Sequence, residues 1–307
     1  MKILVTGGAG FIGSHLTREL IKENYEVVVI DNLSTGRREN LPEGVNFFEA
    51  DVRDKKTFEI IQKEKVEVIA HLAGQTMVDA SIKDPMNDAN QNITGIINIL
   101  EASKCSAVKR VIFSSTAASY GDVDVNDLPI LEKHSLNPMS CYGLSKVTAE
   151  KYLAIYNSLY GIDYVILRFA NVYGERQGDG GEGGVISIFT KKIANNENIT
   201  IFGDGEQTRD FIYAGDIAKG IVAAVKTDNV NTAYNLSSET ETSLRELVSL
   251  LSEIKCENII PNYEKERKGD IRRSMLSAKK AARGLSWKAE TKLFDGLKMT
   301  FDYFKKK

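Results

Sequence analysis

Short apolar runs alternate with longer amphipathic segments through the first half of the chain. The runs at 2–6, 26–30, 45–49, 66–70, 110–113 and 164–168 are four or five residues long and read as buried strands. Between them lie helical patterns. Ile12, Leu16, Leu20 and Ile21 share one side of a helix, 92–107 is an apolar helix, and a long helix opens at Tyr142 and runs to about Tyr160. Five or six strands alternating with helices predict an α/β fold, a Rossmann-type doubly wound parallel sheet.

The pattern changes after residue 174. Gln177 to Gly184 is a glycine-rich loop, suited to a lid or pocket edge. Beyond it come a helix at 185–195, a strand at 199–202, a turn at Gly203-Asp204-Gly205, a helix at 216–224 and a strand at 233–236. A further helix at 243–254 has Ser243 as its cap and Glu246 three residues on. These smaller elements predict a second, mixed α/β lobe that covers a substrate. The expected division is a dinucleotide-binding domain at 1–174, with returning segments near 208–237, and a substrate lobe formed by 175–207 and 238–307. There is no internal repeat or long linker.

Composition narrows the function. With 307 residues and 42% hydrophobic content the chain can bury a large core, and 27% charged residues suit a soluble protein. Lys+Arg 40 against Asp+Glu 42 leaves a net charge of -2, which argues against a general polyanion binder, so no nucleic-acid partner is expected. The glycines at 7 and 8 break the first apolar run too early for a signal peptide. No stretch approaches the roughly 20 apolar residues of a membrane span. Cys105, Cys141 and Cys256 are odd in number and lack metal-like spacing, so the expectation is a reduced cytoplasmic protein with no metal.

Candidate chemistry begins at the first strand. Gly7-x-x-Gly10-x-x-Gly13 follows it and opens a helix, the context in which glycines permit a tight turn and close approach of a pyrophosphate to backbone amides. Asp31 ends the second strand about 20 residues on, where a carboxylate accepts from an adenosine ribose and repels a 2′-phosphate. That favours NAD over NADP, with Arg37 and Arg38 nearby. Asp51, after the third strand, suits a helix cap, an adenine contact or both. His71 fits the floor of the cofactor crevice better than a catalytic base. Ser114, Ser115 and Thr116 place hydroxyls at a strand carboxyl end, facing the crevice of an open parallel sheet. Tyr142 and Lys146, four apart, share a helix face. A lysine ammonium there is expected to lower the tyrosine pKa and make it a proton-transfer group.

Taken in order, these motifs resemble the extended short-chain dehydrogenase/reductase family, and within it the nucleotide-sugar epimerases and dehydratases. The carriers are TGGAGFIG at 6–13, DNLSTG at 31–36, DV at 51–52, HLAG at 71–74, FSST at 113–116 and YGLSK at 142–146, followed by RFANVYG at 168–174, GDGEQTRDFIY at 203–213 and RKGDIRRS at 267–274. The resemblance implies NAD held by Gly7, Gly10, Phe11, Ile12, Gly13, Asp31, Asn32, Ser34, Gly36, Asp51, Val52, Leu72, Ala73, Gly74 and Lys146. It implies Tyr142 as the base on a sugar hydroxyl, Lys146 as its electrostatic partner and Thr116 as a hydrogen-bonding third group. Asn171, Arg209 and Arg267 would meet the nucleotide-sugar phosphates, Asp270 the nucleotide ribose, and Val185 and Phe202 the base.

The related dehydratases and decarboxylases carry an acid just after the Ser/Thr. Here Ala117-Ala118-Ser119 follow Thr116, so the resemblance implies C4 epimerisation of a UDP-hexose through a 4-keto intermediate. Ser274 stands at the family's gatekeeping position, where a bulky tyrosine restricts relatives to unsubstituted hexoses. A serine implies room for UDP-GlcNAc/UDP-GalNAc alongside or in place of UDP-glucose/UDP-galactose. Family members pair through helices equivalent to 92–107 and 146–160, which implies a homodimer. Three positions depart from the family pattern: Glu175 where proline is frequent, HLAG in place of HLAA, and Ser277 where aspartate is frequent. A nucleotide-sugar reductase or dehydratase on the same fold, and a non-catalytic NAD-binding protein, are the rival readings.

Overall fold

The computed structural model describes residues 1–178, 183–266 and 271–306. The first part runs β1 (Lys2–Thr6), α1 (Phe11–Lys22), β2 (Glu26–Asp31), β3 (Asn46–Glu49), α2 (Lys55–Glu64), β4 (Val68–His71), α3 (Val78–Lys83) and α4 (Pro85–Ala89). It continues with α5 (Gly95–Lys104), β5 (Arg110–Thr116), α6 (Cys141–Tyr160), β6 (Asp163–Phe169) and β7 (Asn171–Tyr173). Then come α7 (Val185–Ala194), β8 (Thr200–Phe202), β9 (Thr208–Tyr213), α8 (Ala214–Lys226), β10 (Thr232–Leu236) and β11 (Glu241–Ser243). The chain closes with α9 (Leu244–Lys255), β12 (Asn262–Glu264), α10 (Lys279–Gly284) and α11 (Leu293–Lys305).

Seven strands form one parallel sheet in the order β10-β6-β5-β4-β1-β2-β3. The Rossmann-type fold expected from the alternation is present. The chain winds outward from β1 in both directions, so the loops leaving β1 and β4 diverge and open a crevice at the carboxyl edge. The period-2 alternation of strand side chains feeds two cores. Ile3 and Val5 of β1, with Val27 and Val29 of β2, belong to the core containing Leu16 and Leu20 of α1 and Ile217 and Ile221 of α8. Leu4, Val28 and Ile30 belong to the opposite core, with Ile60 and Ile61 of α2, Ile99 of α5 and Leu153 of α6. Burial on both faces explains why these strands read as continuous apolar runs.

A three-stranded sheet, β11-β9-β7, and a two-stranded pair, β12-β8, lie apart from the main sheet. A third core joins Ile186 and Phe189 of α7, Ile201 of β8, Leu247 and Leu251 of α9, and Leu297 and Phe301 of α11. Ser243 caps α9 in a capping box with Glu246, as its spacing predicts. The boundaries of α6 and α7 also agree with the pattern to within a residue or two. The apolar segment at 92–107 is shorter as an α-helix, because residues Asn90–Thr94 form a π-turn ahead of α5. Among the described residues, no helix is long and apolar enough to cross a membrane.

Candidate active site

The crevice begins at the glycines. Gly7 has φ +69, and a Cβ there would lie 2.8 Å from the Ala73 amide nitrogen, so the loop after β1 lies directly against the Leu72–Ala73 backbone. A Cβ on Gly13 would collide with the Gly7 carbonyl, so only glycine lets α1 start this close to β1. The α1 N-cap is Gly10, with no side-chain cap and no acidic residue in the first turn. The first-turn amides around Phe11 and Ile12 are thus available to an anion, and the helix dipole favours one there.

Asp31 closes the turn from the side. Its Oδ2 accepts from the Ala9 amide at 2.9 Å and its Oδ1 from the Leu33 amide at 2.8 Å. Burial raises its pKa, while the amides of Leu33, Ala9 and Gly10 oppose that. Each oxygen keeps a lone pair for a ribose hydroxyl. Gly36 packs so closely that a Cβ would lie 3.0 Å from Asp31 Oδ1. Asn32 donates to Asp51 at 2.8 Å, and Arg53 grips Asp51 through both carboxylate oxygens at 2.7 Å. The Arg53 hydrogen bond holds Asp51 down to about 2. Asp51 is not the α2 cap, because Asp54 occupies that position. Val52 is buried in the core that contains Ile60 and Ile61, and Ser34 is exposed. Arg38 stacks on Phe47, 4.4 Å from the ring centroid. A tight glycine turn, a helix N-terminus without a side-chain cap and a carboxylate beside them fit a dinucleotide.

Thr116, Tyr142 and Lys146 are brought together at the carboxyl edge of β5. Ser140 caps α6 by accepting from the Gly143 amide at 3.0 Å. A Cβ on Gly143 would lie 2.7 Å from the Ala118 carbonyl, so glycine lets α6 press its first turn against the end of β5. Thr116 hydrogen-bonds Tyr142. Lys146 is buried; its Nζ donates to the Ser114 carbonyl at 3.0 Å and lies 5.9 Å from the Tyr142 ring centroid. The expected lowering of the tyrosine by the lysine is not what dominates. Part of Tyr142 remains open to the crevice, yet desolvation pushes it up to about 12, with Thr116 pulling it down and Asp88 pushing it further up. Desolvation also pushes Lys146 down to about 8, against the charges of Asp88 and Glu150. Burial thus disfavours the charged form of each group, the phenolate of Tyr142 and the ammonium of Lys146.

Beneath this pair lies a buried ion pair that the spacing did not reveal. Arg168 Nε and Nη2 donate to Glu150 at 3.0 and 2.6 Å, and Ser115 donates to Glu150 at 2.6 Å. Arg168 Nη1 donates to the Tyr120 hydroxyl, which donates to Asn235 of β10. Glu150 lies one turn beyond Lys146 on α6, so a Tyr-x3-Lys-x3-Glu spacing was the available signal. His71 is buried with its Nδ1 2.8 Å from Thr6 Oγ1, and burial pushes it down to about 3, as a structural histidine of the crevice floor. Asn92, Asp88 and Gln75 form a second buried cluster beside Gly74.

Of the residues expected on the substrate side, Asn171, Phe202 and Arg209 lie on strands of the smaller sheets. Phe169 pairs with Thr116 in the main sheet, and Asn171 emerges two residues later at the start of β7. Arg209 lies on β9, the parallel neighbour of β7, with its Nη1 2.8 Å from the Thr208 carbonyl. Val185 opens α7 and Phe202 closes β8. Ser274 is half-buried beside Met275, whose carbonyl accepts from Ile130. Arg267 and Asp270 lie outside the described residues. Glu175 accepts from the Tyr213 hydroxyl at 2.8 and 3.0 Å, and Ser277 donates to Glu239 at 3.0 Å, so both departures have structural partners. Among the described residues, no group of His, Cys, Asp and Glu could hold a metal ion.

The fold and crevice define an NAD-dependent enzyme, with Tyr142 and Lys146 side by side at the carboxyl edge of β5. Residues 3–237 match the NAD dependent epimerase/dehydratase family, and the chain belongs to it. It is similar to a UDP-glucose 4-epimerase of Thermotoga maritima solved with UDP-glucose, with TM-score 0.95 and 42% identity over 100% of this chain and 99% of that one. It is also similar to a UDP-N-acetylglucosamine 4-epimerase of Methanobrevibacter ruminantium M1 in complex with UDP-N-acetylmuramic acid, with TM-score 0.93 and 34% identity over 99% and 97%. A UDP-glucose 4-epimerase of Thermus thermophilus in complex with NAD matches with TM-score 0.91 and 36% identity over 99% of both chains.

Proposed function

We propose that this protein is an NAD-dependent UDP-sugar 4-epimerase, interconverting C4 epimers of a UDP-hexose through a 4-keto intermediate. The substrates are UDP-GlcNAc/UDP-GalNAc and/or UDP-glucose/UDP-galactose. The observation that carries this reading is the Thr116–Tyr142–Lys146 grouping at the carboxyl edge of β5, followed by a short turn, Ala117–Ser119, that contains no carboxylate. Dehydratases that resemble this chain carry an acid at that turn for elimination, and its absence here supports epimerisation.

NAD, when bound, supplies the hydride acceptor and donor at C4. The glycine loop, the α1 amides and Asp31 hold its pyrophosphate and adenosine ribose, with Asn32, Ser34, Gly36, Asp51, Val52, Leu72, Ala73 and Gly74 lining the rest. Tyr142 accepts the 4-hydroxyl proton and returns it to the product. Thr116 hydrogen-bonds the same oxygen and fixes its line of approach. Lys146 holds the nicotinamide ribose and supplies positive charge as the phenolate forms. Asn171, Arg209 and Arg267 grip the diphosphate, Asp270 the nucleotide ribose, and Val185 and Phe202 the base. The serine at 274 supports acceptance of an N-acetyl group. In this reading residues 1–174 with the returning segments near 208–237 carry the cofactor, and 175–207 with 238–307 carry the sugar nucleotide.

The protein acts in the cytoplasm as a homodimer. Free thiols at Cys105, Cys141 and Cys256 suit a reducing compartment. Leu144, Ile155 and Leu159 form an exposed apolar stripe along α6 that a second copy would cover. The reaction is tested with a UDP-hexose deuterated at C4 and no added nucleotide. The expected result is an equilibrium mixture of both epimers with deuterium retained at C4, because the hydride leaves and returns within one site. Loss of label to solvent, or stoichiometric formation of NADH, would contradict epimerisation.

A further inference from the structure

The floor of the site holds an ionisable group that the assigned chemistry does not use. Asp88 is buried on α4, one helical turn before Asn92. Its Oδ1 accepts from Gln75 Nε2 at 3.0 Å and from Asn92 Nδ2 at 3.2 Å. Asn92 Nδ2 also faces the Gln75 carbonyl at 3.1 Å and Ser145 Oγ at 3.0 Å. Three acceptors gathered around one amide nitrogen decide which way the amide points. Turned over, its oxygen would face a carboxylate and a carbonyl.

Asn92 Oδ1 is therefore held on the other side, buried and without a hydrogen-bond partner among the described residues. It lies against Gly74, where a Cβ would collide with it and would sit 3.8 Å from Lys146 Nζ. The π-turn at Asn90–Thr94 widens the helix and puts Asn92 at this spot. Ser145, which shares the amide nitrogen, sits between Tyr142 and Lys146 and donates to the Tyr142 carbonyl.

We propose that Asp88 is a positioning residue for the proton-transfer pair: it turns the Asn92 amide oxygen toward Lys146 and sets a negative charge beside Tyr142 and Lys146. The inference rests on the epimerase reading of those two residues. Asp88 is the larger of the two charges that resist the loss of the Lys146 proton, and it also raises Tyr142. The other groups facing the pair are Glu150 of α6, held by Arg168 of β6, and His71 of β4, which burial keeps neutral. Because Asp88 opposes deprotonation of either partner, removing its charge lets the pair give up each proton at lower pH.

The test compares pH profiles of kcat and kcat/KM for the wild-type holoenzyme and Asp88→Asn. Both limbs are expected to move to lower pH by about half a unit or more, with kcat reduced about 10-fold and KM little changed. Asp88→Glu, which keeps the charge, is expected to return the limbs toward wild type. A folded, NAD-loaded Asp88→Asn enzyme whose limbs do not move would overturn the proposal. Asp88→Ser, which leaves room for water beside Asn92, gives the same comparison if Asp88→Asn does not fold. A readout apart from turnover is the NMR titration of 13Cε-labelled lysine, with the Lys146 signal identified by its loss in Lys146→Arg. That signal is expected to titrate at lower pH in Asp88→Asn, and an unchanged midpoint would overturn the proposal. Wild-type protein inactive on every UDP-hexose would instead refute the epimerase reading, with the lysine titration still reporting on Asp88.

Discussion

A tyrosine and a lysine four residues apart share a helix face whether or not they react. What distinguishes Tyr142 and Lys146 is their setting: Thr116 on one, desolvation on both, and buried carboxylates behind them. Tyr142→Phe should lower kcat by about 10²–10⁴-fold, the range of a positioned general base, with unchanged circular dichroism. Undiminished turnover in that variant would remove the assigned base. Ser274→Tyr narrows the pocket, so activity on UDP-GlcNAc should fall at least tenfold more than activity on UDP-glucose, measured on the same preparation. Two histidines contribute to the acid limit. His15 and His71 are both pushed to about 3 by burial, against an ordinary value of 6.5. The unfolded chain therefore binds more protons between these values, so stability present above pH 6.5 is lost as pH falls toward 3. Denaturant unfolding of His71→Asn between pH 6.5 and 4 should show a shallower decline than wild type.

The readable parts of the site were those carried by short local spacing. The glycines follow a strand and open a helix, and their steric reason is local: Gly13 has no room for a Cβ against Gly7. Gly13→Ala should therefore weaken NAD binding at least tenfold, measured by titration of both proteins with NAD. The capping box of α9 was equally local, and Ser243→Ala should cost about 1 kcal/mol in thermal unfolding while leaving kcat unchanged. Asp88 was not legible, because its meaning comes from a π-turn and from Gln75 and Ser145 on other elements. The Glu150–Arg168 pair was missed for the same reason: its members are brought together only when α6 lies on β6. Of the two expectations for Asp51, the helix cap is overturned, since Asp54 takes that position, while Arg53 and Asn32 engage the Asp51 carboxylate.

At the scale of the whole molecule, apolar runs specify the parallel sheet because its strands are covered on both faces. The later strands read less clearly. β9 carries Thr208, Arg209 and Asp210 ahead of its apolar end, and β10 reaches the sheet edge beside β6 only after a long excursion through the smaller sheets. The strand at 233–236 was legible locally, whereas tertiary packing rather than local pattern makes β9 a strand. The apolar stripe of α6 also belongs to this scale. If a second copy covers it, Leu159→Asp should shift the protein to monomer mass in light scattering at micromolar concentration. The central claim concerns the assembled crevice acting on one carbon. The most direct measurement incubates purified protein with UDP-GlcNAc, and in parallel with UDP-glucose, without added NAD, following the anomeric protons by NMR. Growth of the UDP-GalNAc or UDP-galactose signal is the predicted result. No conversion of either sugar or of UDP-galactose even with NAD supplied, or formation of a dehydrated 4-keto product, would contradict the account.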